Sequence, residues 1–137
     1  MDEGSGHPVR LELIPMWDLE EHWESVAPLL AKAIAKQTAM TLESVHADVK
    51  GAKFHLWHIP GKAAFVTQIQ NFPSERICMI VLCGGEGMDE WLRIADETLT
   101  RYARSFGCNA MMIVGREGWS RVIPAYEVTD VVMRKAL

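Results

Sequence analysis

The chain has 137 residues, of which 49% are hydrophobic and 23% are charged, and its formal net charge is -4 at pH 7. This size is typical of one globular domain that buries about two-thirds of the surface of its unfolded chain. We therefore predict a single domain spanning residues 1–137. The acidic balance argues against a nucleic-acid partner, and no apolar run approaches the about 20 residues of a membrane-spanning helix.

The cysteines are odd in number and lack the C-x-x-C spacing of many metal and redox sites: Cys78, Cys83 and Cys108. Reduced thiols in a cytosol-like compartment are the simplest interpretation of this pattern. The polar start of the sequence, residues 1–10, does not resemble a secretion signal.

The first third of the sequence predicts one strand and two helices. Residues 9–14 (VRLELI) alternate apolar and polar side chains, which indicates a half-buried strand. Asp18 is the predicted N-cap of a helix whose apolar residues recur every three or four positions, and Pro28 within it predicts a kink or a fresh start. Thr41 and Gly51 are typical of the start and the end of a second, shorter helix.

The middle of the sequence predicts a three-stranded antiparallel meander. Residues 53–59 and 62–72 have the composition of strands, and the turn at Pro60 and Gly61 joins them as a hairpin. Residues 76–83 (RICMIVLC) are apolar on both faces, which is typical of a strand in the middle of a sheet.

A helix then runs from the following glycines to Gly107, and residues 109–115 (NAMMIVG) predict another apolar strand. Two strands joined by a helix should run parallel with a right-handed crossover. Residues 117–123 suit a short helix and residues 127–137 a last strand. The order predicts an α/β fold with a mixed, mostly antiparallel twisted sheet flanked by helices on both faces.

A glycine loop, CGGEGM, occupies residues 83–88 between the central strand and its helix. Strand, glycine loop and helix N-terminus hold pyrophosphate in many proteins, because backbone amides and the helix dipole attract anions. Glu86, however, places a carboxylate between Gly85 and Gly87, and residues 89–90 are also acidic. These acids compete with a phosphate for the positive end of the helix, and the loop itself contains no cation to offset them. The alternative interpretation is a tight turn with an acidic cap.

Over nearly the whole chain, this order of elements resembles the GNAT superfamily of acetyl-CoA-dependent N-acyltransferases. In that family the loop after the fourth strand carries Gln or Arg, two residues, Gly, one residue, then Gly or Ala. The final glycine pair is present here, but Leu82 stands where the Gln or Arg is expected. The resemblance implies that strand edge 78–82 would pair with the pantetheine amides. It also implies these cofactor-binding residues: Leu82, Gly84, Gly85, Gly87 and Met88.

Three residues are candidates for the catalytic roles of such an enzyme. Many GNAT enzymes use a tyrosine on the short helix after the fifth strand as general acid for the departing thiolate. That helix has no tyrosine here, and Tyr126 follows it, either as the acid or as an aromatic at the edge of the core. Glu75 is a candidate base acting through water. Cys83 is a candidate nucleophile or acid, or a small buried filler.

No metal site is expected from the histidines. His55 and His58 lie three positions apart on one predicted strand, so their side chains should point to opposite faces of the sheet. Two ligands on opposite faces cannot share one metal ion.

A second resemblance concerns residues 81–92 and the GREGW run at residues 115–119. Together they are similar to small GNAT-like proteins of tailed bacteriophages and prophages, some of which belong to the virion or its assembly. Arg116 could bind an anion or a partner carboxylate, or it could pair with Glu86 or Glu90.

The sequence has five tryptophans, more than one core of this size obviously needs. Indole is enriched at protein interfaces because it buries a large area while offering an N–H donor. Trp17 and Trp23, on the first predicted helix, are therefore the predicted exposed interaction residues. Trp91 and Trp119 are predicted to be in the core.

Two functional hypotheses of different class follow. The first is a phage or prophage protein with a degenerate acyl-CoA site, which acts in the virion or its assembly. It would need no cofactor, and its partners would be proteins, either other virion proteins or a second copy of itself. The alternative is an acetyl-CoA-dependent N-acyltransferase with an atypical pyrophosphate loop. The expected location is the cytoplasm of a bacterial host, or the virion.

Overall fold

The computed structural model describes residues 9–35, 39–113, 126–129 and 133–137. Within them a 3-10 turn, Met16–Asp18, precedes the first helix. The three helices are α1 (Leu19–Ile34), α2 (Leu42–Lys50) and α3 (Met88–Ser105). The strands are β1 (Glu12–Ile14), β2 (His55–Ile59), β3 (Ala63–Asn71), β4 (Arg76–Gly85) and β5 (Ala110–Ile113).

The strands form one sheet in the order β1-β2-β3-β4-β5. The first four are antiparallel neighbours, and β5 runs parallel to β4 after the α3 crossover. The prediction of a mixed, mostly antiparallel sheet with one parallel pair is therefore confirmed. The strand predicted over residues 9–14 is shorter than expected and begins at Glu12.

Helices cover both faces of this sheet, as predicted. On one face α1 and α2 pack against β2, β3 and β4 through a buried cluster comprising Ile14, Leu19, Val26, Leu30, Val45, Val49, Leu56, Ala64, Val66 and Leu82. On the other face α3 packs against the sheet through a second cluster comprising Leu11, Trp57, Ile59, Ala63, Phe65, Ile80, Trp91, Ala95 and Leu99. Each fully buried large side chain of these clusters contributes about 1.5–3 kcal/mol of hydrophobic stabilisation.

The ends of α1 and α2 follow the local sequence only in part. Asp18 is the N-cap of α1, but its side chain makes no capping hydrogen bond. The helix runs continuously through Pro28, so the predicted fresh start does not occur. Pro28 is exposed, which lets water bond the carbonyl that loses its intrahelical donor. Thr41 and Ser44 cap α2 reciprocally at 3.0 Å, and Gly51 follows its end, as predicted.

One extra residue interrupts the pairing of β3 with β4. Val66 lies opposite Leu82, whereas the next residue, Thr67, lies opposite Ile80, so Val81 is a β-bulge. Ile80 consequently packs on the α3 side of the sheet and Leu82 on the α1 side, although they are two positions apart. The bulge therefore sets which face each residue of the glycine loop meets.

The end of the chain departs from the prediction. Residues 127–129 and 133–137 are exposed and lie outside any strand, so the predicted last strand is wrong for these residues. The short helix predicted over residues 117–123 lies outside the described residues. Among the described helices, none has both the length and the apolar character needed to cross a bilayer.

Candidate functional site

The glycine loop at the end of β4 is held by the protein's own backbone. A Cβ on Gly84 would lie 2.0 Å from the carbonyl oxygen of Leu29 in α1, which is far inside van der Waals contact. A Cβ on Gly85 would lie 2.4 Å from the carbonyl oxygen of Lys62. Both glycines are thus required by close packing of α1 and the β2–β3 hairpin against this end of β4, whether or not a ligand binds.

The second part of the loop faces solvent and opens α3. Gly87 adopts a left-handed conformation with φ of 69° at the N-cap, and Gly87 and Met88 are exposed. The first amides of a helix have no acceptor within the helix, so those of Met88 and Asp89 are suited to an anion. The Glu86 amide is different, because it donates to the Lys62 carbonyl oxygen at 3.0 Å.

The indole of Trp91 fixes the loop to the helix. Trp91 is only 2% exposed, and its Nε1–H donates to the Glu86 carbonyl oxygen at 2.7 Å. The predicted core role of Trp91 is confirmed. The same residue therefore anchors α3 on the sheet and sets the position of the loop.

Two lysines from distant parts of the chain pair with two of the three acids at the loop, Glu86 and Glu90. Lys32 Nζ lies 2.6 Å from Glu86 Oε2, and Lys62 Nζ lies 2.9 Å from Glu90 Oε1. The hydrogen bond and the charge of Lys32 lower the pKa of the Glu86 carboxyl. The loop itself contains no cation, as its sequence shows, but two ammonium groups from other segments lie at the loop in addition to the helix N-terminus.

Neither lysine was located from the sequence, for different reasons. Lys62 precedes Ala63, and an antiparallel meander places Ala63 opposite Gly85, so the predicted hairpin could have located it. Lys32 reaches the loop only because α1 crosses this end of β4 and sets Leu29 on Gly84. No local pattern in the sequence signals that crossing.

The structure restricts two cofactor contacts that the family resemblance implied. Leu82 is 2% exposed and belongs to the buried cluster on the α1 side, so its side chain does not line a binding surface. Within the implied strand edge 78–82, Cys78 pairs with Met111 and Ile80 with Ile113, so β5 occupies that part of the edge. Among the described residues, none pairs with the β5 side of β4 beyond Ile80.

Tyr126 and Cys83 come together at this end of β4, as candidates for one site should. They line a small apolar pocket between α3 and the sheet, together with Phe65, Ile80, Leu92, Asp96 and Ile113. The Tyr126 hydroxyl donates to Asp96 Oδ1 at 3.1 Å, and burial and the Asp96 charge raise the pKa of Tyr126. Burial raises the pKa of the Cys83 thiol to about 12. Both groups are thus protonated at neutral pH, which does not favour Cys83 as a nucleophile.

Glu75 is not brought to this site. It lies in the exposed turn between β3 and β4, where its carbonyl oxygen accepts from the Phe72 amide at 2.7 Å. The glycine loop begins near the opposite end of the ten-residue strand β4, about 25 Å away. A base role at the loop would need a route that the structure does not provide.

The predicted interaction residues have different environments. Trp17 is 81% exposed, as expected. Trp23 is half-buried against the α1-side cluster and meets the His46 ring edge-on, with ring centroids 4.8 Å apart. Arg116 and Trp119 lie outside the described residues.

His55 and His58 point to opposite faces of the sheet, as their spacing predicts. His55 is hydrogen-bonded to the Tyr102 hydroxyl on the α3 side, whereas His58 lies against His22 of α1, with ring centroids 4.9 Å apart. In the part of the chain that the structure describes, no three His, Cys, Asp or Glu side chains come together as a metal site.

Several similar solved structures are acetyltransferases. A GNAT family acetyltransferase from Staphylococcus aureus is 10% identical, with a TM-score of 0.64, and the match covers 96% of this chain and 100% of that one. A ribosomal-protein-alanine N-acetyltransferase from Brucella melitensis is 13% identical, with a TM-score of 0.63 and coverage of 93% and 100%. The aminoglycoside N-acetyltransferase AAC(6')-Iy in complex with CoA is 11% identical, with a TM-score of 0.65 and coverage of 96% of both chains.

These likenesses show that the chain has the fold of the GNAT acetyltransferases. No protein-family model matches the sequence, and no curated protein matches it significantly. The comparisons give no support to the phage or prophage interpretation.

Proposed function

We propose that the protein is an acetyl-CoA-dependent N-acyltransferase, which transfers an acyl group from the thioester to an amine. The observation that carries the proposal is the pair of lysines at the loop between β4 and α3. In the GNAT fold this loop follows the central strand, and here Lys32 and Lys62 bring positive charge where the loop sequence alone has none. One of the similar structures is itself a complex with CoA, which supports the choice of cofactor.

The residues around the loop suit a diphosphate. The N-terminal amides of α3 at Met88 and Asp89 attract anions, and an ammonium group beside them adds a charge-assisted hydrogen bond. Lys32 and Lys62 are about half exposed, so a ligand in solvent can reach them. Glu86 and Glu90 keep the lysines at the loop. Gly84 and Gly85 are packed against α1 and the hairpin, so their contribution is to shape the loop.

The acyl end of the cofactor would lie nearer to Tyr126 than its diphosphate does. A departing thiolate needs a proton, and the Tyr126 hydroxyl is a protonated group beside the second half of β4. Asp96 accepts its hydrogen bond and so holds the ring in place, and the O–H must turn from Asp96 to the departing sulfur to transfer its proton. We assign Tyr126 as the candidate proton donor and Asp96 as its positioning residue. Cys83 is an uncharged residue that lines the pocket.

Titration of CoA and acetyl-CoA by calorimetry tests the cofactor site. Lys32→Gln and Lys62→Gln should each weaken binding by about 5–10-fold, since each removes a charge-assisted contact to phosphate. Lys50→Gln is the matched control, because Lys50 is an exposed lysine at the end of α2. If the wild-type chain does not bind millimolar CoA, or if Lys50→Gln weakens binding as much, the proposal fails and the loop is a tight turn with an acidic cap.

A second experiment separates chemistry from binding. Tyr126→Phe should lower thiol release from acetyl-CoA by about 100-fold with a panel of amine acceptors, because general acid catalysis is worth at least that much. Its affinity for CoA should stay within about 2-fold of wild type. Cys83→Ser is the control and should retain most of the activity. Equal activity of Tyr126→Phe and wild type would remove the assigned proton donor.

A further inference from the structure

The outer edge of β1 has no pairing partner among the described residues. The strand is the last of the sheet on its side, and it pairs only with β2, Leu13 lying opposite Trp57. An open edge presents unpaired N–H and C=O groups, which can join a strand from another chain. Residues 9–11 continue the same alternation, since Val9 and Leu11 pack on the α3 side.

Large apolar side chains accompany this edge. Leu13 is 45% exposed, Met16 is 48% exposed and Trp17 is 81% exposed, all within five positions. Exposed indole next to an open strand edge is typical of a contact surface, because it buries a large area at a small entropic cost. We call Val9, Arg10 and residues 11–17 the β1 edge.

The charged residues of the β1 edge indicate which strand can pair with it. Two copies of one strand that pair antiparallel are related by a two-fold axis perpendicular to the sheet. Directly opposite side chains in such a pair lie on the same side of the sheet, so one residue must lie opposite its own copy, where the axis passes. With the axis at Leu11, Arg10 of each chain lies opposite Glu12 of the other chain, which gives two symmetric pairs of opposite charge. An axis at Glu12 would instead oppose two carboxylates.

We propose that two copies of the chain associate through their β1 edges, antiparallel and centred on Leu11, so that one sheet continues through both. In this register Val9 covers the exposed Leu13 of the second copy. Arg10 and Glu12 are both exposed, and Glu12 Oε1 lies 3.7 Å from His58 Nε2 of its own chain, which leaves its second carboxylate oxygen to face Arg10 of the other chain. The proposal does not depend on the acyltransferase function.

The expected dimer is weak. A contact of about five residues a side is smaller than a standard protein interface. The dissociation constant should therefore be about 10 µM or higher. Such a dimer forms at high concentration and is missed in dilute samples.

Sedimentation velocity from about 10 to about 500 µM tests the proposal with a charge-swap series. Wild type should pass from monomer to dimer over this range. Arg10→Glu and Glu12→Arg should each weaken the dimer by about 10-fold or more, since each opposes like charges at two symmetric positions. The double variant R10E/E12R should restore the dimer to within about 3-fold of wild type.

A matched control comes from another exposed pair. Arg93 and Glu97 form an ion pair four positions apart on α3, on a surface distant in sequence from β1. The swap R93E/E97R should leave the dimer unchanged, and circular dichroism should show that every variant is folded. A wild-type monomer at all concentrations overturns the proposal. So does a double variant that stays as weak as the single ones, or a control swap with an equal effect.

Discussion

The two halves of β4 differ in how their polar groups are used. In the first half, Arg76–Ile80, the strand pairs with β3 on one side and β5 on the other. The Arg76 side chain also donates to the Phe106 carbonyl oxygen at 2.7 Å and to Asn71 Oδ1 at 2.6 Å. In the second half, which starts at the Val81 bulge, the described residues supply a partner on the β3 side only.

This difference separates stability from binding within one strand. In the first half both edges of the strand are hydrogen-bonded, and the strand joins the ends of β3, α3 and β5. Substitutions there should therefore lower the free energy of unfolding. Within the described part of the chain, the second half pairs with β3 alone and packs its glycines against α1 and the hairpin, and the loop that follows it presents helix amides and two half-exposed lysines to solvent. Substitutions in each half test this difference.

The largest effect is expected at Gly84. Gly84→Ala would place a methyl group 2.0 Å from the Leu29 carbonyl oxygen, and α1 would have to shift. We expect the free energy of unfolding to fall by about 3 kcal/mol, measured by urea denaturation. The control is Gly61→Ala, where φ is 76° but no atom lies within 4 Å, and where about 1 kcal/mol is expected. Equal losses for the two variants would contradict the close approach of α1.

A smaller loss is expected from the first half of the strand. Arg76→Met removes two hydrogen bonds of a charged donor, and unfolding free energy should fall by about 1.5 kcal/mol. Affinity for CoA should not change, because Arg76 lies at the far end of β4. Arg101→Met, on the exposed surface of α3, should cost little by comparison. A change of CoA affinity in Arg76→Met would show that the two halves are coupled.

Lys32→Gln should weaken CoA binding without lowering stability, the opposite of Arg76→Met. Its ion pair with Glu86 is exposed and screened by solvent, so the melting temperature should be nearly that of wild type. Affinity for CoA should nevertheless fall several-fold. Differential scanning calorimetry with and without CoA measures both in one series. A large drop in melting temperature without ligand would place Lys32 among the stabilising residues instead.

The smallest effect is a dependence of stability on pH. Burial lowers the pKa of His55, and burial followed by the charge of His22 lowers that of His58, while Glu12 partly opposes the shift. Because the unfolded chain takes up these protons more readily, stability should be full above the ordinary value of 6.5 and fall as the pH decreases below it. Denaturation at about pH 7.5 and about pH 5.5 measures the loss.

His58→Gln should reduce that loss. Stability that rises on acidification, or the same slope in this variant, would assign the pH dependence to other groups.

The sequence predicted those parts of the fold that depend on local pattern. The apolar run of β4, the glycines and the amphipathic α3 were located, and the connection of β4 to β5 through a helix implied that they are parallel. Thr41 and Gly51 marked the ends of α2 because their conformational preferences act over a few residues. The opposite faces of His55 and His58 followed from the two-residue period of a strand.

The missed features depend on contacts between distant segments. Lys32 reaches Glu86 across 54 positions of sequence, and only the packing of α1 on Gly84 brings them together. Tyr126 meets Asp96 of α3 in the same way, across 30 positions of sequence. The Val81 bulge was missed because the strand is apolar on both faces, so its pattern does not reveal the shift of register.

The bulge has a consequence for recognising relatives of this chain. Removing Val81 would regularise the ladder and leave Leu82 opposite Val66 and Gly84 opposite Ala64, each on the face that it occupies now. A relative with one residue fewer in this strand should therefore carry its first loop glycine one place earlier. Alignments that count positions from the apolar run alone would misjudge which residues of such proteins correspond.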